Sequence, residues 1–140
     1  MDRQVKPSHE LVNPDSLAPP KGFSHAVVAA RGRAVFVGGQ TAHRPDGTVE
    51  GDTIAEQFEP AVANLVRVLE AAGARPEDLV SVHIFVTDAD TYRASLGPIG
   101  EAWRRHVGGH YPAMAFFEVK GLFDPEAKVE LTAVAVVPED

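Results

Sequence analysis

Lys128-Val129-Glu130-Leu131-Thr132-Ala133-Val134-Ala135-Val136-Val137 puts Val129, Leu131, Ala133 and Ala135 on one side of an extended chain and Glu130, Thr132, Val134 and Val136 on the other. This two-residue period is that of a strand with one face in the core. The second face mixes one carboxylate with two valines, so it needs a cover other than solvent. Leu79 to Thr87 repeats the period, with Val80, Val82, Ile84 and Val86 set against Ser81, His83 and Thr87, and is expected near the centre of a sheet. Ala113 to Val119 is a further strand, joined to the last one through residues 121–125.

Between these strands the period changes. Thr53 and Glu56 have the spacing of a capping box, and Ile54, Phe58, Val62, Leu65, Leu69 and Ala72 recur at steps of four and three. The spacing predicts one helix ending at Gly73, with Pro60 costing it a hydrogen bond and roughly 3 kcal/mol if nothing compensates. Asp90 to Val107 is predicted as a second helix with Ile99 and Trp103 on its buried side, divided in two by Gly97-Pro98. Upstream, His25–Ala30 and Ala34–Gly38 are predicted to form a hairpin turning at Arg31-Gly32-Arg33. Gly38-Gly39-Gln40 then opens a loop that turns at Pro45-Asp46-Gly47.

The resulting order, β-β-α-β-α-β-β, is an α+β fold: a mixed sheet with two helices packed on one face. The apolar residues of the uncovered face point to oligomerisation. Residues 1–20, with Pro7, Pro14, Pro19 and Pro20, are predicted as an extended N-terminal arm, and residues 21–140 as a single domain.

Composition narrows the function classes. A chain of 140 residues suits one core, and the absence of cysteine excludes disulfides, thiolate catalysis and cysteine-ligated metals. The net charge of −7 with no basic stripe argues against nucleic acid as a partner. There is no apolar run of signal-peptide or membrane-span length, so a soluble, cytoplasmic protein with no membrane partner is expected. His106 and His110 have a ligand-like spacing, but Gly108-Gly109 interrupts it and no metal is expected. No glycine pattern for a phosphate or dinucleotide follows either glycine pair, so no cofactor is expected.

Tyr111-Pro112-Ala113-Met114, followed by Glu130 in an alternating strand, together with Lys21-Gly22-Phe23-Ser24-His25-Ala26-Val27 and Val37-Gly38-Gly39-Gln40, resembles the RidA/YjgF family of reactive-intermediate deaminases. The resemblance runs from Lys21 to Val137. It implies the chorismate mutase-like fold of that family, a homotrimer, and a small-molecule substrate or ligand held in three intersubunit clefts. It implies that Glu130 orients or deprotonates a water, which makes it the catalytic candidate. Substrate-binding candidates are Phe23, Gly38, Met114, Ala115 and Phe116. Phe23 stands where the family has tyrosine and is either a pocket wall or ordinary packing. Gly38 stands where serine is frequent and serves turn geometry or supplies a backbone donor. Ala115 offers backbone groups, and Phe116 is a cleft wall or plain core.

Met114 stands where the family carries an arginine that grips the substrate's carboxylate. Losing a desolvated pairing of that kind costs roughly 2–5 kcal/mol in affinity or rate. Two functions are therefore expected in competition. One is an enamine/imine hydrolase that releases ammonia, acting on a substrate other than 2-aminoacrylate. The other is a non-catalytic trimer that binds a small metabolite or regulates. The endoribonuclease or translation-inhibitor activity described for some family members has the least support in so acidic a chain.

Overall fold

The computed structural model describes residues 9–140. Its elements are β1 (Glu10–Val12), β2 (Ala26–Val28), β3 (Gly32–Gln40), α1 (Ile54–Ala71), β4 (Leu79–Val86), α2 (Ala89–Ala94), α3 (Leu96–His106), β5 (Ala113–Glu118) and β6 (Val129–Pro138), with a 3-10 turn at Pro76–Asp78. The main sheet has four strands in the order β3-β6-β4-β5. Its pairings are antiparallel except for β4 with β5, which run parallel. No helix of the described residues is long and apolar enough to cross a membrane.

The alternation in β6 decides which face is buried. Val129, Leu131, Ala133 and Ala135 lie in the core with Phe58, Val62, Leu65 and Leu69 of α1, while Glu130, Thr132, Val134 and Val136 are only half-buried on the other face. Cross-strand neighbours share a face, so Phe36, Ser81, His83, Phe85 and Phe117 line the open side with them. Phe36 is 77% exposed there, and Phe85 and Phe117 stack at 5.4 Å.

The helices follow their local signals. Thr53 caps α1: its side chain accepts from the Glu56 amide while the Glu56 carboxylate accepts from Thr53 N–H. Those bonds hold the Glu56 carboxyl below the usual carboxylate range. Gly73, at φ 81°, follows the C-cap Ala72, which is exposed, so the buried stripe ends at Leu69. Pro60 does not divide α1. It withdraws its donor on the outer side of the helix, where it borders an open cavity and Glu56 is exposed. The second helical region is split, but at Ser95 rather than at Gly97-Pro98. Pro98 falls in the first turn of α3, where a missing N–H costs no helical bond.

Two pairings depart from the expected pattern. The predicted hairpin is absent: β2 pairs with β1 from the N-terminal arm, and β3 pairs with β6. Residues 1–8 of the arm lie outside the described residues. In β4 a register shift between Leu79 and Ser81 puts Leu79, not Val80, into the core ahead of Val82.

A buried amide joins α1 to the start of β6. Gln57 Nε2 donates to the carbonyls of Gly51 and Glu126 at 3.1 and 3.0 Å, and its Oε1 accepts from Lys128 N–H at 2.7 Å. Gln57→Ala orphans these groups at about 1–3 kcal/mol each, less what water recovers. A loss of roughly 2–4 kcal/mol in chemical denaturation is the expected outcome.

Candidate functional site

Four of the five predicted binding residues come together. Phe23, Met114, Ala115 and Phe116 line one cavity of about 630 Å³ beside the β5 edge, with Phe58, Tyr92, Ile99, Trp103 and Tyr111 completing its apolar walls. Ser24 accounts for the placement of Phe23. Its amide donates to the Pro112 carbonyl at 2.9 Å and its hydroxyl to the Tyr111 carbonyl at 2.6 Å. It also bridges Ala113 in parallel, so the Lys21–Ser24 segment runs along the outer edge of β5.

The cavity's rings pack as a chain. Tyr92 sits 4.6 Å from Phe116 and 6.1 Å from Phe58, and Trp103 stacks on Tyr111 at 6.4 Å with its indole N–H donated to the His110 carbonyl. Burial pushes the Tyr92 phenol up to about 12. Phe23 also carries His25 edge-on at 5.2 Å, while His25 Nε2 bonds the Ala18 carbonyl and steadies the preceding segment.

Glu130 and Gly38 are elsewhere. Val82 is buried on the helix side and faces Met114 in register, whereas Glu130 faces Phe85 on the open side. Glu130 therefore lies on the opposite face of the sheet from Met114. Its carboxylate rests on the next glycine: a Cβ added to Gly39 would stand 2.6 Å from Glu130 Oε1. This contact falls where the β3–β6 register shifts between Val37 and Gln40, so the Gly38-Gly39 pair and the carboxylate form one local unit. Within one chain the predicted residues thus fall into two separate groups.

Other expectations resolve structurally. Glu118 accepts from the Ala89 amide at 3.3 Å at the start of α2, whose N-cap is Asp88. His110 Nε2 bonds the Leu79 carbonyl, and His106 Nε2 lies 3.4 Å from Glu59, which Arg105 also holds at 2.6 Å. A second cavity, of about 710 Å³, lies between the 42–50 loop and α1, but its charged groups largely satisfy one another, with Arg44 at 3.8 Å from Glu50. None of the predicted site residues borders it.

Sequence reasoning missed Gly39, Tyr92 and Arg104. Arg104 lies on the rim of the 630 Å³ cavity, and only its position on the same helix as Ile99 and Trp103 hinted at this.

A Cβ on Gly39 would meet the flexible end of the Glu130 side chain, which must turn aside, so replacement of Gly39 should couple to Glu130. Gly39→Ala is expected to cost about 0.5–1 kcal/mol. In a Glu130→Ala background most of that cost should vanish, a coupling of at least about 0.5 kcal/mol in a double-mutant denaturation cycle.

The sequence model of the family described as Endoribonuclease L-PSP matches residues 13–137. A 2-iminobutanoate/2-iminopropanoate deaminase of Rattus norvegicus is 28% identical over 115 residues, covering 81% of this chain and 79% of that protein. Protein DfrA of Myxococcus xanthus is 32% identical over 133 residues, covering 94% and 95%. The solved structure of YyfB from Yersinia pestis, a member of the conserved Rid protein family, superposes with a TM-score of 0.83 at 32% identity, covering 93% of this chain and 99% of that one. With its fold and motifs matched along nearly its whole length, the chain belongs to the endoribonuclease L-PSP family, the RidA/YjgF family that its motifs resemble.

Proposed function

We propose that this protein hydrolyses enamine or imine intermediates and releases ammonia, on a substrate other than 2-aminoacrylate. The observation that carries this reading is the Glu130 carboxylate seated on Gly39, a single acid on a sheet face otherwise made of apolar and neutral side chains. The names of the relatives support the reaction class: deaminases of 2-iminobutanoate and 2-iminopropanoate from Rattus norvegicus and Escherichia coli are 28% and 30% identical over 115 and 106 residues.

In this reaction Glu130 takes a proton from water as the water oxygen bonds to the C=N carbon and the C=N electron pair moves to nitrogen. Glu130 returns that proton to the nitrogen, giving a carbinolamine; the hydroxyl proton then passes to the nitrogen as C=O re-forms and the C–N bond breaks, releasing ammonia. Water and imine give carbonyl and ammonia, so no redox partner is needed. Backbone N–H groups near Gly38 and Ala115 polarise the substrate.

Glu130 and the Met114 cavity face opposite ways, so a centre using both draws them from two copies of the chain. The exposed Phe36 and the His83, Phe85 and Phe117 cluster support a homotrimer closed through the open sheet face. The cleft between copies then holds the small molecule, and a cytoplasmic location suits such a protein.

Ammonia release is measured from 2-aminoacrylate generated in situ and from a panel of bulkier imines. The expected result is turnover of the bulkier imines, lowered about 100-fold or more by Glu130→Gln, with 2-aminoacrylate hydrolysed only by Met114→Arg. A trimer that hydrolyses none of them overturns the hydrolase reading in favour of a binding module. For assembly, Phe36→Asp is expected to convert the trimer to monomer in sedimentation.

A further inference from the structure

The cavity beside β5 carries charge of one sign. Lys21 and Arg104 border it, and no aspartate or glutamate does. Among the described residues neither cation has an acid partner, as is also true of Arg31, Arg33 and Arg67, so what sets Lys21 and Arg104 apart is their place on the cavity. In a chain of net charge −7 this is a border of two cations and no acid. Arg104 Nη1 would lie 3.2 Å from a Cβ on Gly100, so the guanidinium rests along the bare backbone of the preceding turn of α3, at the rim.

Beneath that rim the walls are rings and a thioether: Phe116, Tyr92, Trp103 and Met114. A cavity of about 630 Å³ far exceeds what a three- or four-carbon acid fills. Apolar depth with a cationic mouth matches a ligand that has a large apolar body and one anionic end.

We propose that Arg104, assisted by Lys21, is the carboxylate-binding group of this cavity, and that it selects 2-imino acids bearing an aromatic or bulky aliphatic side chain. The inference rests on the reading of the Met114 cavity as the substrate-binding half of the site. The acid's carboxylate meets the guanidinium at the mouth, the side chain lies among Phe116, Tyr92 and Trp103, and Met114 supplies polarizable contact beneath it. The Tyr92 hydroxyl, on the cavity wall, adds a donor.

The test is calorimetric binding to the full chain, which needs no turnover. The probes are phenylpyruvate, pyruvate, and phenylacetone, which keeps the ring and the ketone without the carboxylate. Phenylpyruvate is expected to bind more tightly than either of the others, with an affinity that falls as salt rises. Arg104→Gln with Lys21→Gln is expected to weaken phenylpyruvate about ten-fold, Arg104→Lys less, and Arg93→Gln, outside the cavity and paired with Asp90, not at all. Equal affinity for phenylacetone, an unaffected double variant, or no binding of phenylpyruvate overturns the inference. Binding with this pattern but without ammonia release leaves the inference standing and removes the hydrolase. Imine turnover insensitive to the double variant does the reverse.

Discussion

The face parity of β6 is the constraint from which the rest of the molecule follows. The strand is hydrogen-bonded on both sides, to β3 and to β4, so it cannot adjust without breaking two ladders. A slip of one residue would carry Glu130 and Thr132 under α1 and bring Val129 and Leu131 out. Burying an unpaired carboxylate against Phe58 and Leu65 is far costlier than any local gain, which makes the observed phase the only stable one. Gln57 adds a fixed origin to this phase, because its side-chain oxygen receives the Lys128 amide immediately before the strand begins.

That same parity separates Glu130 from the Met114 cavity. β5 pairs in parallel with β4, and β4 pairs with β6, so the face of every residue in β5 is inherited from β6 through β4. Met114 is opposite the core residue Val82, and Phe117 is opposite Phe85, which is itself opposite Glu130. No side-chain rotation brings Glu130 through the sheet to Met114. For the proposed centre, which uses Glu130 together with the Met114 cavity, this strand pairing calls for a second copy of the chain. The exposed surface agrees with it, since the open face holds Phe36 and a cluster of three rings where an isolated domain would place polar groups.

Much of this was legible from local pattern. Two-residue alternation in residues 128–137 located both the buried face and the odd carboxylate, and Thr53 with Glu56 located the start of α1. What local pattern does not carry is partner choice. Ala26–Val28 and Gly32–Gln40 look like the arms of a hairpin, yet the first pairs with Glu10–Val12 and the second with β6, because strand pairing is decided by which long-range ladder buries more surface. The bulge that puts Leu79 in place of Val80, and the one that brings Gly39 under Glu130, are single-residue irregularities with no compositional mark. Arg104 was invisible for another reason. It is one of two adjacent arginines on α3, and only the folded helix sends Arg105 to Glu59 and leaves Arg104 at the cavity rim.

The position of that positive charge bears on what Met114 means. A guanidinium on the strand at position 114 would stand inside the cavity, close to Phe58, Tyr92 and Phe116, and would fix a short acid deep in the pocket. A guanidinium on α3 at position 104 stands at the mouth and leaves the depth apolar. A charge at the rim rather than on the strand suits a longer ligand that can satisfy charge and walls together. Each change favours the other: with Met114 inside, a short acid cannot reach a cation while filling the rings, and with Arg104 outside, a bulky body gains contact that a small one cannot. Met114 on the strand and Arg104 at the rim are thus consistent with the one class of ligand proposed for this cavity.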